Sequence, residues 1–224
     1  MKQKKLLINI LTIFPEMITS YTNESILARA VEKKILKIST HNIRDYTTNK
    51  HKKIDDKPYG GGAGMVMMFQ PIADAVKKLK KKNKKTRVIL FSTRGKTFNH
   101  KEAKRLTKYD QLILICGRYE GVDERVAKYV ADEEISIGNY ILTGGELPAL
   151  ILTDAVSRKI PGVLGKQASL EENQGSYPTY TRPAEVIWNN PKTKKKQLLK
   201  VPKQLTQGKH KEIKLWRSKF DKQS

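Results

Sequence analysis

Apolar runs alternate with amphipathic stretches along the first 160 residues of the chain. Short runs rich in Ile, Leu and Val predict β-strands, and apolar positions three or four residues apart predict helices. The predicted strands cover residues 6–13, 36–43, 87–92, 111–116 and 134–137. The predicted helices cover residues 25–36, 99–109, 123–130 and 146–158, and a further helix begins at Pro71. Strands separated by single helices indicate an α/β fold with a mainly parallel sheet that helices cover on both faces.

The pattern changes after Pro161. Gly, Pro, Ser and Asn become frequent in residues 162–183, which is typical of a linker. Residues 184–224 are rich in lysine and contain Trp188 and Trp216. The sequence therefore predicts an α/β domain in residues 1–161, a linker in residues 162–183 and a small basic C-terminal region in residues 184–224.

The formal net charge of +23 is the strongest compositional signal. Such a charge favours a polyanionic partner, of which nucleic acid is the most common. Compositional drift is an alternative interpretation, because 35 of the 45 basic residues are lysine. Lysine reads phosphates and base edges less well than arginine does. Composition leaves both interpretations open and says nothing about a reaction.

Cysteine usage and hydropathy indicate a reducing compartment. Cys116 is the single cysteine, which excludes an intramolecular disulfide and a cysteine-based zinc site. Basic residues precede the apolar stretch from Leu6 to Phe14, as in a secretory signal, but Pro15 and Glu16 follow instead of a cleavage site. No run approaches the ~20 apolar residues of a membrane span. The expected location is the cytoplasm, without membrane attachment.

Three loops combine glycines with polar residues near the ends of predicted strands. They are DDKPYGGGAG (55–64), GRYEGVDER (117–125) and SIGNYILTGGELP (136–148). Ligands of open α/β sheets bind at the carboxyl ends of the strands, where glycine lets the backbone approach closely. The letters GKT at 95–97 lack the leading glycine of a P-loop, since Leu90 stands there, and no loop matches G-x-G-x-x-G. The sequence thus predicts a ligand site, but neither an NTPase, a dinucleotide site nor a metal site.

Taken together, seven segments resemble the bacterial tRNA (guanine-N1-)-methyltransferases of the SPOUT superfamily. They are LTIFPEM (11–17), RDYTT (44–48), DDKPYGGGAGMVMM (55–68), LILICGRYEGVDERV (112–126), SIGNYILTGGELPAL (136–150), VSRKIPGVLG (156–165) and YTRP (180–183). All fall in the expected order, and the resemblance extends along nearly the whole of residues 6–183. A related SPOUT enzyme that acts on another RNA position is disfavoured by GGGAG and YTRP together.

The resemblance implies an α/β fold with a C-terminal trefoil knot, followed by a small, shortened basic C-terminal helical region that binds tRNA. It implies a homodimer with active sites at the subunit interface, S-adenosylmethionine as methyl donor and a requirement for Mg²⁺. The acceptor in the family is N1 of the guanosine at tRNA position 37. The implied donor-binding residues are Leu90, Ser92, Gly117, Tyr119, Glu120, Ser136, Ile137, Gly138, Asn139, Tyr140, Ile141, Leu142, Gly144, Gly145 and Pro148. The glycines implied to bind substrate are Gly60, Gly61 and Gly62.

Methylation of N1 needs a base for the N1 proton and a cation near O6, where negative charge builds as the proton leaves. The resemblance implies that Arg158 is this cation. The family's aspartate base aligns without gaps to Asn173, whose amide cannot accept a proton. Glu172 or Glu171 is then the expected base, and Glu172 is favoured. Loss of the base leaves an alternative function, a tRNA-binding protein of the same fold with lost or weakened catalysis.

Asn139 is a second departure from the family pattern, because many members have aspartate at this position of the SIGNY segment.

Overall fold

The computed structural model describes residues 5–164 and 177–220 of the chain. The chain divides into two compact units, Met1–Leu164 and Gly165–Ser224. In the N-terminal unit the strands are β1 (Leu6–Thr12), β2 (Leu36–Asn42), β3 (Asp55–Asp56), β4 (Val66–Met67), β5 (Thr86–Thr97), β6 (Gln111–Ile115) and β7 (Glu133–Ser136). Its helices are α1 (Pro15–Thr22), α2 (Ser25–Glu32), α3 (Phe69–Leu79), α4 (His100–Leu106), α5 (Glu124–Tyr129) and α6 (Glu146–Ser157), with a short 3₁₀ helix at Ile43–Tyr46. The division falls inside the segment predicted to be a linker.

Five strands of the N-terminal unit form one parallel sheet in the order β2-β1-β6-β5-β7. The predicted α/β fold with a mainly parallel sheet is therefore confirmed. Strand β6 lies at the centre, and all five of its residues are buried, as expected where helices cover both faces. Because the strands run in one direction, their carboxyl ends meet at one edge of the sheet. The trefoil knot that the resemblance implies stays a prediction.

Two hydrophobic clusters lie on the two faces of this sheet. Because side chains alternate along a strand, Leu112 and Leu114 of β6 belong to one cluster, and Ile113 and Ile115 belong to the other. Helices α1, α2, α4 and α6 contribute buried side chains to the first cluster, and α3 and α5 contribute to the second. This two-sided packing holds the strand ends, and the loops that follow them, in fixed positions.

Some boundaries in the N-terminal unit differ from the sequence-based expectation. The helix predicted for residues 25–36 is wrong at its end, because α2 stops at Glu32 and Lys34 adopts a left-handed φ of 59° before β2. Strand β5 continues to Thr97, and its pairing with β7 shifts register between Phe91 and Lys96. Helix α1 was not predicted, since its start is marked only by a proline in its first turn.

The C-terminal unit begins, within its described residues, with an antiparallel hairpin. Strands β8 (Glu185–Asn189) and β9 (Lys196–Lys200) precede helices α7 (Lys203–Thr206) and α8 (His210–Ser218). The expected helical region is thus corrected, because β-branched and aromatic residues around Ile187 and Trp188 favour a strand over a helix. None of residues 177–220 is buried. Across the described parts of both units, no helix is long and apolar enough to cross a membrane.

Candidate active site

A cleft of about 440 Å³ lies at the carboxyl ends of β6 and β7 and beside the register shift of β5. Three segments line it, residues 90–94, residues 117–122 and a longer stretch that includes most of residues 134–145. Every residue implied to bind the donor lines this cleft, except Asn139, which is exposed on the same loop. The structure therefore brings together residues that lie up to 58 positions apart, from Leu90 to Pro148. Their role in donor binding stays a prediction.

Gly145 holds two of these loops in close contact. Its backbone N–H donates a hydrogen bond of 2.9 Å to the carbonyl oxygen of Gly117. A Cβ atom at Gly145 would lie 2.6 Å from Cα of Cys116 and 2.9 Å from N of Gly117. No side chain fits there, although the φ of Gly145, −82°, is open to any residue. The glycine is thus required by packing of backbone on backbone rather than by its own conformation.

A buried ion pair between Arg118 and Glu146 connects the same loops. The carboxylate of Glu146 is 1% exposed and accepts hydrogen bonds from Nε of Arg118 at 2.9 Å and Oγ1 of Thr12 at 2.7 Å. The Arg118 guanidinium also lies 4.7 Å from the ring centroid of Phe14. The pair therefore joins the loop after β6 to the start of α6 and to the end of β1. Sequence reasoning missed it, because no local spacing links residues 12, 118 and 146.

The neighbouring thiol is inert. Cys116 is fully buried, and burial, with a smaller contribution from the charge of Glu146, raises its pKa well above the ordinary value of 9.0. Nucleophilic cysteine chemistry needs a thiolate in an accessible, electropositive site. Cys116 is a packing residue beneath the cleft.

Glu134 places an acidic group in the cleft wall. Its Oε2 atom is buried and has no hydrogen-bond partner among the described residues. The nearest cation is Arg94, whose Nη2 lies 3.7 Å from that oxygen but pairs at 2.7 Å with Glu124. A buried carboxylate oxygen without a donor suits an N–H, an O–H or a positive charge on a ligand. Neither Glu134 nor Arg94 was among the individual residues implied to bind the donor, although the resemblance places the donor against a segment, residues 90–95, that contains Arg94.

The glycine-rich loop before β4 adjoins the cleft. Gly60, Gly61 and Gly62 are exposed with φ values of 86°, 80° and 119°, which side chains rarely adopt. C-terminal to these three glycines, Met65 connects the loop to the cleft, because its carbonyl oxygen accepts a hydrogen bond of 3.0 Å from the backbone N–H of Glu120. The structure therefore brings the loop that carries these glycines into contact, through Met65, with Glu120, a residue implied to bind the donor.

The predicted catalytic residues lie apart from the cleft or beyond the described residues. Arg158 is exposed at the C-terminal end of α6, and its side chain has no hydrogen bond or ion pair within residues 5–164 and 177–220. Glu171, Glu172 and Asn173 lie outside the described residues, so the choice of base stays a prediction. Those same described residues contain no group of three or more His, Cys, Asp or Glu side chains that could hold a metal ion.

Comparison with known proteins points to the same chemistry. The profile of the family described as tRNA (Guanine-1)-methyltransferase TrmD matches residues 6–224. A Clostridium novyi protein named tRNA (guanine-N(1)-)-methyltransferase is 52% identical over 215 residues, which are 94% of this chain and 84% of that relative. A protein of the same name from Carboxydothermus hydrogenoformans is 50% identical over 217 residues, 95% of this chain and 81% of the relative. The chain therefore belongs to the tRNA (guanine-1)-methyltransferase family.

Proposed function

We propose that this protein transfers a methyl group from S-adenosylmethionine to N1 of the guanosine at position 37 of tRNA. The observation that carries the proposal is the cleft at the carboxyl ends of β6 and β7 and the register shift of β5, because nearly all residues implied to bind the donor line it. Family membership supports the same activity. Because tRNA is the substrate, the cytoplasm is the proposed location.

The cleft fits the donor in size and in chemistry. Its volume of about 440 Å³ lies within the ~300–1,000 Å³ of small-molecule sites. Gly117 and Gly145 expose backbone that can approach a nucleoside closely, and Oε2 of Glu134, which accepts no hydrogen bond from the described residues, can accept one from a ligand or face a positive charge. S-adenosylmethionine carries both kinds of group and, when bound, supplies an electrophilic methyl group on a sulfonium sulfur.

The reaction places two demands on the protein. A carboxylate must take the N1 proton of guanine while the N1–C bond forms and the sulfonium S–C bond breaks, which leaves S-adenosylhomocysteine and N1-methylguanosine. The negative charge that builds on O6 must meet a cation. Arg158 is suited to this second role, because its guanidinium is exposed and unpaired within the described residues. Glu172 is the proposed base, with Glu171 as the alternative.

Arg158 is too far from the cleft of its own chain to act there. Ten positions along α6 separate Pro148, which lines the cleft, from Arg158, and a rise of 1.5 Å per residue makes this about 15 Å. An extended arginine side chain covers only a fraction of that distance. The cation that serves this cleft is therefore proposed to come from a second copy of the chain, as in a homodimer with shared active sites.

An exposed apolar surface on α1 and α6 fits such a dimer. Phe14, Met17 and Tyr21 are 42–48% exposed, and Leu147 and Ile151 of α6 are 51% and 45% exposed. The two helices are packed together, since the Tyr21 hydroxyl donates a hydrogen bond of 2.8 Å to Asp154. Contiguous exposed apolar residues mark interaction surfaces in soluble proteins. We infer that this surface is covered by the second copy.

Complementation between two inactive variants tests the shared site. Arg158→Ala lacks the cation, and Gly145→Val lacks the donor site. A mixed dimer regains one complete site if the cation acts across the interface, so an equimolar mixture should recover about one quarter of the wild-type rate. A mixture as inactive as its components, despite exchange of subunits, would place Arg158 and the cleft in the same chain.

Mg²⁺ has no assigned step in this reaction. The described residues do not offer three acidic or imidazole ligands in one place. Its requirement stays an expectation from the resemblance, to be tested by adding Mg²⁺ to protein treated with a chelator.

Mass spectrometry of nucleosides tests the activity itself. Unmodified tRNA with G37, incubated with the protein and S-adenosylmethionine, should yield N1-methylguanosine, whereas the same tRNA with A37 should yield none. Glu172→Gln should lower turnover by roughly 10²- to 10⁴-fold with donor affinity nearly unchanged. Absence of product from the wild type, together with activity in Asn173→Asp, would favour the alternative function of a tRNA-binding protein with lost catalysis.

A further inference from the structure

We propose that a cavity in the C-terminal unit binds one unstacked base of the tRNA. The inference rests on the proposed tRNA substrate and adds a second site to it. The cavity has a volume of about 450 Å³, and the described residues that line it lie between 177 and 217. Its lining includes Tyr177, Tyr180, Arg182, Leu205, Trp216 and Arg217.

Aromatic rings form one part of this cavity. Tyr180 is 51% exposed, and its ring centroid lies 6.3 Å from that of Trp216, with the two planes tilted by 59°. Trp216 also contacts Phe220, at 4.9 Å between centroids. The indole is thus held between two rings, while the ring of Tyr180 remains half open to solvent. Every nucleobase has a π-face, so an accessible ring of this kind can stack on any of them.

Cations form the other part. The Arg217 guanidinium lies 4.5 Å from the ring centroid of Tyr177 and so stays beside the cavity. Arg182 is exposed and makes no side-chain hydrogen bond or ion pair within the described residues. No carboxylate lines the cavity among the residues that the structure describes. A guanidinium can stack on a base or bind the phosphate next to it, and both uses are common in the recognition of single-stranded RNA.

The charge of the surrounding surface selects nucleic acid as the partner. Residues 177–220 contain twelve lysines and arginines but only two carboxylates, Glu185 and Glu212. An isolated phosphate would use the cations but would leave the rings uncovered. An apolar partner, or a second copy of this unit, would have to bury unpaired positive charge. A base with its attached phosphate satisfies both features, and the unpaired loops of tRNA provide such bases.

Trp216 provides a direct readout, because the chain has only two tryptophans. In full-length Trp188→Phe protein, Trp216 is the single reporter, and titration with unmodified tRNA should quench its fluorescence. In the same background, Tyr180→Ala should weaken tRNA binding by about 5- to 150-fold, the range found when one stacking residue is removed. Tyr180→Phe retains the ring and should bind within about twofold of the parent.

A second variant covers the case in which Tyr180→Ala does not fold. Thr206 lines the cavity at the end of α7 and is exposed, so Thr206→Trp should fill the cavity from its rim and weaken tRNA binding to a similar extent. Thr206→Ser is the matched control, with no expected effect. Because Thr206→Trp adds an indole, its binding is measured by filter retention rather than by fluorescence.

Methylation assays separate this inference from the proposed activity. Quenching of Trp216 and ring-dependent tRNA binding, without formation of N1-methylguanosine, would support the base site and reject the enzyme. Normal methylation, with an unchanged KM for tRNA in both Tyr180→Ala and Thr206→Trp, would reject the base site and leave the enzyme intact.

Discussion

Each of the five strands in the large parallel sheet contributes side chains that are less than 10% exposed, whereas Trp188, Leu198 and Leu199 of the C-terminal hairpin remain 43–51% exposed. A two-stranded hairpin without a covering layer is at best marginally stable in water. The N-terminal unit therefore carries its own core, whereas none of the described residues of the C-terminal unit is buried. The two units therefore offer different surfaces, since one holds a cleft beside a buried core and the other offers an exposed basic surface.

The largest expected difference is in stability. Trp188 and Trp216 both lie in the C-terminal unit, so tryptophan fluorescence reports that unit, while circular dichroism reports mainly the larger one. In a urea titration of the full-length protein we expect fluorescence to change first and circular dichroism to change later, in a cooperative transition. A fragment of residues 1–164 should keep the second transition. Coincident transitions in the full chain would mean that the two units share one folding equilibrium.

Donor binding should depend on the N-terminal unit alone. In Gly145→Val, the new side chain would overlap the backbone of Cys116 and Gly117, and we expect calorimetry to show a loss of more than about 100-fold in affinity for S-adenosylmethionine. Gly61→Ala is the control, because it also strains a glycine loop, through a φ of 80°, but its Cβ meets nothing within 4 Å, so its donor affinity should be normal. Unchanged affinity in a folded Gly145→Val protein would mean that S-adenosylmethionine binds outside this cleft.

We expect the ion pair that is buried in the N-terminal unit to contribute more to the free energy of unfolding than the exposed pair in the C-terminal unit. Arg118→Met would leave the buried carboxylate of Glu146 without its cation, which should lower the free energy of unfolding by about 3 kcal/mol, followed by circular dichroism. Lys200→Met breaks a pair of 2.8 Å in which both side chains are more than half exposed. The expected change there is at most about 1 kcal/mol, followed by fluorescence. Similar losses for both variants would contradict the comparison.

The smallest effect concerns two lysine clusters, residues 77–87 and residues 192–200. The first lies at the end of α3 and the amino end of β5, on the edge of the sheet opposite the cleft. The second forms the tip and second strand of the exposed hairpin. Neutralising Lys194, Lys195 and Lys196 should reduce the slope of log K against log salt for tRNA binding by about 2, at roughly 0.7–0.9 per phosphate contact.

The matching triple variant of Lys80, Lys81 and Lys82 should leave the salt slope nearly unchanged. Equal reductions for the two triple variants would mean that tRNA contacts both clusters, including the edge of the sheet opposite the cleft. No change for either would favour compositional drift as the origin of the lysines.

Much of the fold was predictable because its signals are local. The strand at 111–115 is a continuous apolar run because helices cover both of its faces. The start of α4 is also a local signal, because the side chain of Asn99 accepts a hydrogen bond from the backbone N–H of Glu102, three residues further along. The hairpin at 185–200 was missed because lysines and exposed apolar residues there give no one-sided pattern. The glycine-rich loops were found for the same local reason as the strands.

The sequence by itself determined the class of fold, the loops at the strand ends and, through the resemblance, the family. Only the tertiary structure decided which residues meet. Glu146 finds Arg118 and Thr12, 28 and 134 positions away, because parallel strands deliver their ends to one edge of the sheet. The same packing sets Arg158 about 15 Å along α6 from Pro148 in the cleft wall. Such distances depend on strand order and helix length together, and no local spacing records them.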